Sequence, residues 1–192
     1  MKRLFITFSI CILVIGNGFL KSQDIADSKL LTIDRIFNSN EFTQERPPVV
    51  QWIENGASYV RVEKSANTEG AYELVKYSVD PYRRTIFVSA ESLTVNSKPI
   101  VIENFTLSGD GSKVLIFTNS SRVWRTNTKG DFWVYDLAAN SLRQIGKQFK
   151  SSSLMFAKFD PGNKYVAYVH DFNIYIEDFE SGVVIVRKEF KL

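Results

Sequence analysis

From about residue 49 onward, short apolar runs rich in Val, Ile, Phe, Tyr and Thr alternate with tight polar breaks. A period near two with β-branched and aromatic enrichment predicts strands. Turn chemistry marks the breaks at Glu54-Asn55-Gly56, Asp80-Pro81, Gly109-Asp110-Gly111, Lys129-Gly130-Asp131, Pro161-Gly162-Asn163 and Ser181-Gly182. A helical spacing occurs once, in Ser28–Asn38, where Leu31, Ile33, Ile36 and Phe37 fall on one face and predict a short helix.

The strand pattern repeats. Leu107–Phe117 and Phe159–Val169 each read as an apolar residue, a tight polar turn and a β run, and Trp52–Val60 is a weaker third copy. A second strand pair follows each copy: Tyr72–Val79 with Arg84–Val88, Asp131–Leu137 with Asn140–Ile145, and Asn173–Phe179 with Ser181–Val186. Copies recur about every 50 residues, the length of one four-stranded propeller blade. A blade is apolar on both faces and stacks between neighbours to bury them. The expected fold is therefore all-β, a partial β-propeller of about three four-stranded blades, with a generic antiparallel sandwich as the alternative. Propellers close with roughly four to eight blades, so the expectation is a portion of a larger ring.

The N-terminus changes the charge picture. Lys2 and Arg3 precede an apolar run from Leu4 to Ile15, which is short for a bilayer of about 30 Å. This reads as a signal peptide over residues 1–22, followed by a segment with a short helix (23–48) and the incomplete propeller (49–192). Export to the periplasm or the exterior is then expected. Lys2, Arg3 and Lys21 leave with the leader and no acid goes with them, so the formal charge of +3 falls to 0. No basic stripe is left to recruit nucleic acid. The single cysteine, Cys11, also lies in the leader, which removes thiol chemistry and cysteine metal sites from the rest.

Candidate chemistry is sparse. The one histidine, His170, reads as a turn residue, and no Gly-x-Ser-x-Gly elbow accompanies it. No dinucleotide or Walker glycine pattern is present, and no cofactor is expected. Asn104-Phe-Thr and Asn119-Ser-Ser fit the glycosylation acceptor pattern without further support. Glu177, Asp178 and Glu180 read as a solvated turn, since calcium-loop spacing is lacking. The outlier is Trp124-Arg125, set in the polar segment between two strand-like runs. On its own, an arginine there is a surface charge with its stem on the tryptophan.

Several segments resemble the N-terminal propeller of the dipeptidyl peptidase IV family: Ser121–Thr126 with Phe132–Leu137, Phe156–Val169 with Asp171–Tyr175, Leu31–Asp34, and Val50–Ile53. The Trp-Arg pair with its downstream Tyr-Asp-Leu is the most specific of these. The resemblance implies a serine exopeptidase that removes N-terminal dipeptides, with a propeller of roughly eight blades over a C-terminal α/β-hydrolase domain. It implies that Arg125 binds a backbone carbonyl near the peptide N-terminus, a task suited to a planar guanidinium. Thr126 and Asn127 depart from the family form. No catalytic residue is assigned within these 192 residues, because the triad and the amine-binding glutamates belong to later segments. The expected partners are a peptide substrate and the hydrolase domain. The rival reading is a small exported binding protein that closes its ring as a homodimer.

Overall fold

The computed structural model describes residues 30–43 and 48–188, and the chain divides into two compact units, Met1–Arg46 and Pro47–Leu192. The signal peptide expected over 1–22 lies outside the described residues. In the first unit the helix predicted over Ser28–Asn38 shrinks to one π-helical turn, Asp34–Asn38. Leu31, Ile33 and Phe37 stay exposed. A short helix without a packed face draws little from propensity, and Thr32, Ile33 and Ile36 are β-branched. Arg35 pairs with Glu41 across the turn.

The second unit is sheet. Blade 1 is an antiparallel meander of β1 (Val50–Ile53), β2 (Ser58–Lys64), β3 (Tyr72–Ser78) and β4 (Arg83–Val88). A two-stranded ribbon, β5 (Thr94–Val95) and β6 (Lys98–Pro99), stands in the connection to blade 2. Blade 2 comprises β7 (Asn104–Leu107), β8 (Lys113–Val123), β9 (Thr126–Asp136) and β10 (Ser141–Ile145), and blade 3 comprises β11 (Leu154–Phe159), β12 (Tyr165–His170), β13 (Asn173–Asp178) and β14 (Val184–Lys188). The three blades are those the repeat predicts, strand for strand.

Two cores explain the stacking, and alternation along β8 separates them. Val114 and Ile116 join Val60, Leu74 and Val88 of blade 1, together with Ile100, Ile102 and Phe105. Leu115 faces the other way, with Val134 and Ile145, onto Val166, Tyr168 and Tyr175 of blade 3. Blade 2 thus buries both faces. The turns are fixed by aspartates. Asp110 accepts hydrogen bonds from the Ser108 hydroxyl (2.6 Å) and the Ser112 N–H (3.0 Å), and Asp160 accepts from the N–H groups of Gly162, Lys164 and Tyr165. The Ser108 hydroxyl first, then the Ser112 donors, hold the Asp110 carboxyl well below the usual carboxylate range.

Polar contacts also tie successive blades along their first strands. Gln51 Oε1 accepts from the Leu107 N–H (2.9 Å), linking β1 to β7. Asn163 Oδ1 accepts from the Gly109 N–H (2.9 Å), linking the turn after β7 to the turn after β11. The first strands of successive blades are therefore in contact.

Candidate functional site

Strands β8 and β9 have 11 residues each, far longer than their neighbours. Their register is regular from Lys113↔Asp136 to Thr118↔Asp131, then shifts twice before closing at Val123↔Thr126. The reversal is the pair Trp124-Arg125. The sequence pattern predicted a turn at Lys129-Gly130-Asp131 instead, and the structure corrects it: these residues lie inside β9. Their turn-like composition has another use. β10 pairs with β9 over Phe132–Asp136, while β11 pairs with it at Gly130 and Lys129. Strand β9 is handed from blade 2 to blade 3 at Gly130, and the distal hairpin becomes an arm laid against the first strand of blade 3.

That crossing demands a glycine. A Cβ at position 130 would lie 2.3 Å from Phe117 Cε2 and 2.8 Å from the Thr118 carbonyl oxygen. Asn119, on the opposite strand, takes a left-handed φ of 49° where β8 bends. Beneath the arm is a cavity of about 240 Å³, lined by Phe105, Phe117, Asn127, Thr128, Phe132 and Phe156 among others. Phe156 sits in the irregularity between Met155 and Lys158 of β11, with φ 57°, and is exposed.

At the tip, Trp124 is 79 % exposed with φ 56°, a backbone conformation that is rare for a bulky residue. The Arg122 Nε–H donates to the Trp124 carbonyl (3.1 Å), which supports the turn. The Arg125 guanidinium carbon lies 4.3 Å from the Trp124 ring centroid, a cation–π contact. Among the described residues Arg125 makes no ion pair and no hydrogen bond, so its N–H donors are available.

The arm root is held by polar groups, two of which, Asn119 and Asp131, the sequence pattern read in other roles. Asp131, 8 % exposed, accepts at Oδ2 from Asn119 Nδ2 (2.8 Å) and from the Ser151 hydroxyl (2.6 Å), and at Oδ1 from the Ser152 N–H (2.7 Å). The Ser152 hydroxyl donates back to the Asn119 carbonyl (2.6 Å). Farther out, the Ser120 N–H (2.9 Å) and hydroxyl both donate to Glu103, and Asn127 Nδ2 donates to Ser120 Oγ (2.9 Å).

The other sequence candidates stand apart from the arm tip. His170 ends β12 with its ring stacked on Phe149 at 4.0 Å. Glu177 is not solvated, contrary to the expectation for the acidic cluster. It is 3 % exposed, and its Oε2 accepts from the Gly146 N–H and the Tyr168 hydroxyl, both at 2.9 Å. Burial first, then the Glu177 charge, pushes the Tyr168 hydroxyl above its ordinary value. Asp178 caps the following turn by accepting from the Glu180 and Ser181 N–H groups. Asn104, the other acceptor-pattern asparagine, lies exposed at the start of β7.

Residues 108–188, which hold the arm and both its neighbours, match the family model described as the dipeptidyl peptidase IV (DPP IV) N-terminal region. Residues 108–188, most of blades 2 and 3, belong to an N-terminal propeller region of the dipeptidyl peptidase IV family. The chain is 29 % identical to dipeptidyl aminopeptidase B of Saccharomyces cerevisiae over 157 residues, 78 % of this chain and 18 % of that protein. It is 24 % identical to a probable dipeptidyl-aminopeptidase B of Pyrenophora teres f. teres over 173 residues, 86 % of this chain and 19 % of that protein. The crystal structure of Porphyromonas gingivalis dipeptidyl peptidase 4 shares the fold, with a TM-score of 0.65 and 19 % identity over 82 % of this chain and 21 % of that one. The chain thus spans about a fifth of the length of these dipeptidyl peptidase relatives. The Trp124-Arg125 tip falls inside the family-matched region.

Proposed function

We propose that this chain is the N-terminal propeller portion of an exported dipeptidyl peptidase IV-like serine exopeptidase, and that Arg125 positions the peptide substrate. Acyl transfer belongs to a hydrolase domain outside these residues. The propeller raises the fraction of productive poses by holding the peptide N-terminus in place. One observation carries this reading: an unpaired guanidinium, steadied on the Trp124 ring, stands at the end of an arm that crosses to the first strand of the next blade. A surface arginine needs no such arm. A guanidinium that receives a peptide carbonyl needs fixed donors with no resident carboxylate to compete for them.

The test is a titration of the purified full chain with a free-amine tripeptide, Ala-Pro-Ala, followed by NMR. Arg125→Ala is expected to weaken binding about ten- to a hundredfold, the worth of one hydrogen bond to a charged group. The pure chain is expected to release no chromophore from a glycyl-prolyl anilide. Turnover by the pure chain that survives Arg125→Ala overturns the proposal, as does tripeptide binding indifferent to that substitution.

A further inference from the structure

We infer that Asp131 is a positioning residue for the Arg125 arm: by joining Asn119 of the arm root to Ser151 and Ser152 of the connection before β11, its carboxylate fixes where the arm tip stands. The inference rests on the reading of Arg125 as substrate-facing.

Placement supplies the first argument. Asp131 is the residue at which β9 leaves blade 2, directly beside Gly130, whose partner is Leu154 of blade 3. Beyond the Gly130–Leu154 and Lys129–Met155 pairs no blade pairing holds the arm, so a hinge at this point would swing residues 120–128 as one body. Asp131 spans that point. Its two oxygens take three donors from two different chain segments, 12, 20 and 21 residues away.

Chemistry supplies the second. Asp131 is buried without a cationic partner among the described residues. A buried carboxylate is costly unless its acceptor sites are filled, and hydrogen bonds to an ionised acceptor are roughly twice as strong as neutral ones. Three aligned donors make the junction stiff, and losing the carboxylate leaves the root on weaker neutral bonds, Asn119 Nδ2 to Ser151 Oγ (2.8 Å), Ser152 Oγ to the Asn119 carbonyl (2.6 Å) and Ser121 Oγ to the Ser152 carbonyl (3.2 Å). The Glu103–Ser120–Asn127 contacts tie the arm farther out, but Ser120 and Asn127 both belong to the arm, so only Glu103 anchors that second tie. Asn119 belongs to an acceptor pattern for glycosylation, yet its Nδ2, the atom that would carry the sugar, is the donor to Asp131 and Ser151. A glycan there would take one of the two N–H groups that hold the arm root.

Hydrogen exchange on the full chain, read at residues 120–130, tests the inference. Asp131→Ala is expected to speed exchange in the arm about ten- to a hundredfold while leaving Lys113–Thr118 of the same hairpin unchanged. Asp131→Asn, which keeps an acceptor for the Ser152 N–H, is expected to fall between. With the Ala-Pro-Ala tripeptide, Asp131→Ala is expected to lose affinity, and the double variant with Arg125→Ala is expected to lose no more than Arg125→Ala alone. Unchanged arm exchange in Asp131→Ala overturns the latch. Exchange that rises equally through Lys113–Thr118 also overturns it, because Asp131 would then be holding the blade and not the arm. Arm-only exchange with tripeptide binding that neither variant alters supports the latch and overturns the substrate reading of Arg125.

Discussion

The crossing at Gly130 makes a sharp demand on one hydrogen atom. Gly130→Ala places a methyl group 2.3 Å from Phe117 Cε2, 2.8 Å from its Cζ and 2.8 Å from the Thr118 carbonyl oxygen. Carbon atoms rest about 3.5–4.0 Å apart at optimal contact, so the shortfall exceeds an ångström. The Phe117 ring has little room to retreat, since it lies against Phe132 at 4.9 Å between centroids, and the Thr118 oxygen is backbone. Overpacking of this kind costs about 1–3 kcal/mol. Alanine returns about 0.4–1 kcal/mol by restricting the unfolded chain. The net loss of up to about 2.6 kcal/mol corresponds to a fall of up to about 10 °C in Tm for a protein of this size. Thermal unfolding followed by circular dichroism measures it, and exchange of residues 120–130 reports whether the arm has lifted. Gly109→Ala is the control: its Cβ would meet Asn163 Oδ1 at 3.6 Å, an ordinary contact, and its Tm is expected to stay near wild type. A Gly130→Ala chain that melts with wild type and exchanges its arm no faster refutes the close crossing, and with it the handover of β9 between blades.

Two further substitutions probe the blades themselves. Burial by itself would raise the Glu63 carboxyl, but hydrogen bonds from Tyr77, Arg84 and Arg61 override it and bring it to about 2, below its ordinary 4.5. Its stabilising contribution is therefore full above about pH 4.5 and lost as pH falls toward 2; with Arg61 and Arg84 partly in solvent it amounts to about 1–2 kcal/mol, and the Tm gap between wild type and Glu63→Gln is expected to close over that window. A gap independent of pH would contradict the ion-pair account. Glu177→Ala removes the acceptor for the Gly146 N–H and the Tyr168 hydroxyl at the interface of blades 2 and 3, and a loss of about 1–3 kcal/mol is expected in urea unfolding; a midpoint equal to wild type would contradict the buried role.

What could be read along the chain is what neighbouring residues decide among themselves. An apolar residue, an aspartate-fixed turn and an alternating run recur at Leu107–Phe117 and Phe159–Val169, and each becomes a first strand, a turn and a second strand. Asp110 and Asp160 act within five residues of themselves, so their signature is local. The double-sided apolar character of β8 likewise announces that blade 2 has two neighbours. Glu177 resisted the same treatment because its partners, Gly146 just after β10 and Tyr168 in β12, are distant in sequence, while its neighbour Asp178 caps the turn that holds Glu180. The helix expected at Ser28–Asn38 failed for a related reason: a face of apolar residues predicts a helix only where something packs on it.

The arm shows most clearly why local chemistry misleads where the partners are distant in sequence. Lys129-Gly130-Asp131 has turn composition, but its glycine serves a close strand crossing and its aspartate a tertiary latch, and both needs are set by residues 12 or more positions away. The true reversal carries Trp124 and Arg125, neither of them a turn residue, with the tryptophan held at positive φ. A sequence optimised only for turning would place glycine or asparagine there. Keeping a bulky aromatic in that strained position is a cost, and such costs collect where a side chain is being presented. Relieving it with Trp124→Gly would ease the turn while removing the surface on which the guanidinium rests. The strain and the cation–π contact are therefore one arrangement, and it makes sense when the placement of Arg125 matters more than the comfort of the turn.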